Sequence, residues 1–138
     1  MGIDLTPEIV KTKLTGKRVM LVGGAGFIGH NLAVDLAGYG TAVMVVDNLM
    51  LNYLVTNVTT EDVDPLRRDV DHSFLMQRFD MMRDAGVQMF NADARNRSDV
   101  AEAFRQFKPT DVVHLSAIAS AVDARKVPGL AFDLQLLT

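Results

Sequence analysis

The sequence predicts an α/β domain: a parallel sheet of strand order 3-2-1-4 with helices on both faces. Two observations predict it. Short apolar runs at residues 18–22, 42–46, 87–91 and 111–115 alternate with segments of helical period, the pattern of strands joined by right-handed helical crossovers. The first run leads into Gly23, Gly26 and Gly29, spaced G-x-x-G-x-x-G, then into a helix and a second strand that stops at an acid, Asp47. Reversal of direction after the third strand gives the 3-2-1-4 order and leaves a ligand crevice between strands one and four.

Composition bounds the answer before any motif does. The 138 residues make one domain, long enough for a real core. The net charge of −3 leaves no basic footprint and argues against nucleic acid as a partner. No apolar run reaches membrane-spanning length and no signal peptide is visible, so a soluble, cytoplasmic protein without a membrane partner is expected. The absence of cysteine excludes disulfides and thiolate metal sites. Met1-Gly2 followed by Thr6 fits the short myristoylation pattern, but an ordinary polar start is the reading we adopt.

Taken in order, Thr6-Pro7-Glu8 predicts a helix start with a hydroxyl cap, ending before Thr15-Gly16. Residues 1–16 therefore read as an N-terminal extension and 17–138 as the domain proper. Arg18 to Val22 is the first strand, and Ile28, Leu32 and Leu36 give the next helix one apolar face. Residues 42–46 form the second strand, and 50–61 read as loop. Asp64-Pro65 opens a helix to about residue 85, with Leu66, Val70, Phe74 and Met81 along its packed face and Phe79 and Met82 widening it. The acids Glu61, Asp62, Asp64, Asp69 and Asp71, among Arg67 and Arg68, read as a solvated charge cluster at the helix start.

Gly86 ends that helix and residues 87–91 form the third strand. Ser98 is expected to cap a helix carrying Val100, Ala103, Phe104 and Phe107, and 111–115 is the fourth strand. Small residues follow it: Ser116, Ala117, Ala119, Ser120 and Ala121. They leave room for a ligand above the sheet's carboxyl edge. Val127-Pro128-Gly129 interrupts the chain, and a last helix runs to Thr138. The whole is half of a dinucleotide-binding, Rossmann-type fold, truncated after the fourth strand and part of the next helix.

The glycine turn is the chemically informative stretch. Glycine permits a turn that a Cβ would block and lets a pyrophosphate approach the main chain. The helix opening near Gly26 aims unpaired N–H groups and a positive dipole end at that phosphate. Asp47, about 20 residues beyond the turn, stands where a carboxylate accepts both ribose hydroxyls of an adenosine.

These residues resemble the extended short-chain dehydrogenase/reductase family, in its NAD-dependent nucleotide-sugar epimerase/dehydratase branch (UDP-glucose 4-epimerase-like). Gly23-Gly24-Ala25-Gly26-Phe27-Ile28-Gly29 is similar to its glycine motif, which implies that Phe27 and Ile28 join the glycines at the cofactor. Val46-Asp47-Asn48-Leu49 resembles the segment holding the adenine ribose. Ala92-Asp93-Ala94-Arg95 resembles the one that meets the adenine edge through Asp93 and Ala94. Val112 to Ala117 is similar to a segment along the pyrophosphate and nicotinamide ribose, which implies roles for Leu115, Ser116 and Ala117. Residues 133–137 resemble a helix that carries Asn where Gln135 stands. Asp47 would repel the 2′-phosphate of NADP, and no arginine stands beside it in sequence, so NAD is the expected cofactor.

The family's chemistry uses a Tyr-x-x-x-Lys pair with a nearby Ser or Thr. The only tyrosines are Tyr39 and Tyr53, and Val43 and Asn57 stand four residues on. No catalytic residue is assigned, and the pair is expected beyond Thr138. His30, His72 and His114 have no ligand spacing, and no metal site is expected. His114, in an apolar strand, reads as a hydrogen-bonded core histidine, and His30 as a packing or surface residue close to the phosphates. Ser116 and Ser120 lack a base partner.

Three functions are consistent with the sequence. The first is the NAD-binding part of an enzyme whose intact form acts on a nucleotide sugar. The second is a truncated, non-catalytic NAD-binding or interaction module. The third is a redox-inactive scaffold whose unpaired fourth strand seeks a partner, by homo-oligomerisation or edge-strand pairing.

Overall fold

The computed structural model describes residues 6–50 and 65–117, together with 125, 128 and 129. Strands β1 (Arg18–Val22), β2 (Ala42–Asp47), β3 (Gln88–Asn91) and β4 (Asp111–His114) form one four-stranded parallel sheet ordered β3-β2-β1-β4. This is the order expected from the sequence. Val22 pairs with Val46 on one side and His114 on the other, so the carboxyl ends of the three strands finish level.

Strand alternation divides the core between two faces. Val19, Leu21, Val43 and Val45 point to one face and pack with Ala33 and Leu36 of α2 (Phe27–Gly38) and Met82 of α3 (Pro65–Asp84). Met20, Val22, Met44 and Val46 point to the other and pack with Ala103 and Phe107 of α4 (Arg97–Phe107). A right-handed crossover must change face when the strand order reverses, which is why α4 lies opposite α2 and α3. Arg18 secures α4 from the sheet side: its Nε donates to the Phe107 carbonyl at 2.7 Å, and its guanidinium lies 4.5 Å from the Phe107 ring centroid.

The amino-terminal helix α1 (Pro7–Leu14) buries no residue of its own. Its end is nonetheless stitched to the domain, because Thr41 Oγ1 donates to the Leu14 carbonyl at 3.1 Å and Thr15 Oγ1 to that of Tyr39 at 3.3 Å. Thr6 sits at the N-cap position but makes no side-chain cap bond.

Three expectations are corrected. On α3 the packed face is formed by Leu75 and Met82, with Phe79 partly buried, whereas Leu66, Val70, Phe74 and Met81 are exposed. Apolar residues occur on more than one side of this helix, and contact with α2 and the sheet selects the shorter stripe. The cap of α4 is Asn96, whose side-chain carbonyl accepts the N–H groups of Ser98 and Asp99 at 3.1 and 3.4 Å. Ser98 is already inside the helix. Pro128 and Gly129 are helical where a break was expected.

Residues 51–64, including Tyr53, Glu61, Asp62 and Asp64, lie outside the described residues, as do Ala119, Ser120, Ala121, Val127 and the 131–138 stretch with Gln135.

Candidate cofactor-binding cleft

At the carboxyl ends of the strands lies a cleft of about 390 Å³, within the usual range for a small-molecule site. The glycine turn forms its floor. Gly23 leaves β1 with φ +76°, and a Cβ there would stand 2.5 Å from the Ser116 amide nitrogen and 2.6 Å from its Oγ. Only glycine lets the chain following β4 close on this turn. A Cβ on Gly29 would overlap the backbone of Gly24, so the first turn of α2 docks directly on the loop before it. Gly26 differs: apart from its chain neighbours, no atom lies within 4 Å of where its Cβ would be. It is the N-cap of α2 and supplies no capping side chain. The first-turn N–H groups of a helix lack intrahelical partners, and the residues of this turn, Phe27, Ile28 and Gly29, line the cleft.

Asp47 closes the turn from the side of β2. Its Oδ2 accepts the Ala25 N–H at 2.9 Å and its Oδ1 accepts that of Leu49 at 2.8 Å. A carboxylate has about four acceptor positions, so each oxygen keeps capacity for a further hydroxyl. Gly23 N–H donates to the Val46 carbonyl at 2.7 Å, a second tie between turn and strand.

Next along the cleft, Asn48 Nδ2 donates to Asp93 Oδ2 at 3.2 Å, joining the ends of β2 and β3. Asp93 also accepts from Arg95, by the backbone N–H at 2.9 Å and by the guanidinium at 2.9 and 2.5 Å. These bonds hold its carboxyl well below the ordinary aspartate range, the Arg95 side chain contributing most.

Every residue expected at the cofactor lines this one cleft: the three motif glycines with Phe27 and Ile28, then Asp47 and Asn48, Asp93 and Ala94, and Leu115, Ser116 and Ala117. The residues fit a dinucleotide, because the cradle is bare backbone at Gly26 and the carboxylate of Asp47 faces the same space. Phe27 and Ile28 are about 70% exposed, a cost that apolar side chains at a binding surface recover on contact.

Val46 and Ala92, each within a segment quoted above, also line the cleft, as do Met50 and Arg78, which the sequence reading missed. Arg78 carried a signal. It falls three residues after Leu75 and four before Met82, on the buried stripe of α3, where a cation has no packing reason to be.

The histidines fall outside the lining. His30 is buried, with Nδ1 3.0 Å from the Gly26 carbonyl, a packing role. His114, the last residue of β4, is exposed rather than in the core. Among the described residues no group of three or more potential ligands could hold a metal. No helix among them is long and apolar enough to cross a membrane.

The sequence profile of the NAD dependent epimerase/dehydratase family matches residues 19–132. The chain belongs to that family. The chain superimposes on UDP-glucose 4-epimerase of Thermus thermophilus, solved in complex with NAD, with a TM-score of 0.60 and 34% identity, over 87% of this chain and 30% of that one. It is 27% identical over 123 residues to a bifunctional UDP-glucose 4-epimerase and UDP-xylose 4-epimerase of Pisum sativum, covering 89% of this chain and 31% of the relative. It is also 27% identical over 105 residues to the chloroplastic UDP-sulfoquinovose synthase of Spinacia oleracea, covering 76% and 21%. The chain thus spans a third or less of the length of these relatives and matches their amino-terminal, NAD-binding portion.

Proposed function

We propose that this chain forms the NAD-binding portion of an enzyme acting on a nucleotide sugar, an epimerase or dehydratase, working in the cytoplasm. Residues 1–16 are an extension and residues 17–138 belong to the cofactor domain. The observation that carries this reading is the joining of the bare turn at Gly26 to the Asp47 carboxylate across one cleft.

Each part of the cleft has a task. The first-turn N–H groups of α2 and the glycine backbone take the diphosphate. Asp47 accepts the adenosine ribose hydroxyls and disfavours a 2′-phosphate by charge. Asn48 positions Asp93, and Asp93 with Ala94 meets the adenine edge. Ser116 and Ala117, small and following β4, admit the nicotinamide ribose, with Leu115 beside them. When bound, NAD supplies a reversible hydride acceptor for a sugar carbon. Epimerisation and dehydration share that requirement, so the isomerase, lyase or oxidoreductase outcome is set by residues outside this cleft. The UDP-glucose 4-epimerases and the UDP-sulfoquinovose synthase among the relatives illustrate the range.

A second reading is a truncated, non-catalytic NAD-binding or interaction module. The same reading frame beyond Thr138 separates the two: a Tyr-x-x-x-Lys supports the enzyme and a stop codon the module. For the cofactor itself, calorimetric titration should give NAD binding at least about tenfold tighter than NADP. Equal affinities would overturn the role given to Asp47.

A further inference from the structure

We propose that Arg78 is a second anion contact for the dinucleotide, a guanidinium that reaches from α3 to the diphosphate lying against the turn at Gly26. This rests on the NAD-binding reading and adds a residue, on a different helix, to it.

The placement of Arg78 is the argument. It is half-buried, and its side chain lines the cleft together with Gly26 and Phe27. Its guanidinium lies 5.9 Å from the centroid of the Phe27 ring, the first residue of α2 and the neighbour of Gly26. The Phe27 ring is itself steadied edge-on by His30, centroids 5.9 Å apart, and His30 is fixed to the Gly26 carbonyl. The cation is therefore held over the same turn that the diphosphate would occupy.

Three features suit an anion. Among the described residues Arg78 has no ion pair, although Arg83 on the same helix and Arg95 in the loop after β3 each bind an aspartate. A guanidinium that approaches an aromatic ring without an ion-pair partner keeps its N–H donors for an anion. Its planar fork matches two phosphate oxygens at once, and such charge-assisted pairs are strong. The residue also lies on the inward stripe between Leu75 and Met82, so packing of α3 on the sheet sets where its stem begins.

The test is to titrate the wild-type chain, Arg78→Ala and Arg78→Lys with NAD, ADP, NADP and adenosine by calorimetry, and by NMR for the weak ligand. Circular dichroism and thermal melts establish that each variant is folded. Arg78→Ala should weaken NAD and ADP about tenfold and leave adenosine unchanged, because only the diphosphate is contacted. Raising the salt concentration should shrink that difference, and Arg78→Lys should restore part of it. Equal loss for adenosine and ADP, no loss for ADP, or a loss confined to NADP would each overturn the assignment. Wild-type binding of NAD with an indifferent Arg78→Ala defeats this inference alone. A wild-type chain that binds neither NAD nor adenosine defeats the NAD-binding reading, and this inference with it.

Discussion

The Asp47 carboxylate accepts the Ala25 backbone N–H at 2.9 Å, across the space between β2 and the turn that follows β1. One side chain therefore shapes the glycine turn and, on the proposed reading, is the acceptor offered to the ribose. Asp47→Ala removes the acceptor of two backbone N–H groups and should cost about 1–3 kcal/mol in chemical denaturation. Asp47→Asn keeps one oxygen and should cost less, yet still weaken NAD at least about tenfold in calorimetry, because an amide presents one acceptor where the ribose needs two. Full affinity in the asparagine variant would remove Asp47 from the ribose.

Gly26 and Gly29 separate folding from binding. A methyl at Gly29 would overlap the Gly24 backbone, so Gly29→Ala should destabilise the domain by about 2 kcal/mol or more. Gly26 has φ −73° and ψ −177°, which alanine adopts readily, and open space where its Cβ would go. Gly26→Ala should therefore melt within a few degrees of wild type while losing most NAD affinity. A stable Gly26→Ala that binds as tightly as wild type would show that the diphosphate does not rest on this turn.

Some of this is legible in the sequence and some is not, for physical reasons. The strand order and the glycine turn are readable because their signals are local: valine-rich runs, fixed glycine spacing, an acid at a strand end. The packed face of α3 is not. Leu66, Val70, Phe74 and Met81 satisfy a helical period as well as Leu75 and Met82 do, and only the neighbouring α2 and sheet choose between them. Asn96 and Ser98 are both good capping residues, and the choice depends on backbone dihedrals two residues apart. Arg78 escapes a reading that centres the packed face on Leu66, Val70, Phe74 and Met81.

Asp93 should make stability depend on pH. Its bonds to Arg95 and Asn48 depress the folded-state pKa below the ordinary aspartate value of 3.8. The unfolded chain then binds more protons in acid, so this contribution is full above that value and is lost as pH falls below it. Asp93→Asn should cost about 1 kcal/mol at pH 7, since the pair is partly exposed, and the difference from wild type should fade on approach to about pH 2. A difference that stays constant through the acid range would contradict the ion pair.

Among the described residues β4 is at the edge of the sheet, and Val112 on it is 46% exposed. An edge of this kind templates pairing with another chain. We expect concentration-dependent self-association of this chain in sedimentation velocity, reduced by Val112→Lys. A monodisperse monomer at high concentration would argue against edge pairing.

The most direct test is a crystal structure of the chain with NAD. The account predicts the diphosphate against the backbone at Gly26 and both adenosine ribose hydroxyls within hydrogen-bond distance of the Asp47 carboxylate. NAD bound elsewhere, or the cleft filled by protein side chains, would contradict it.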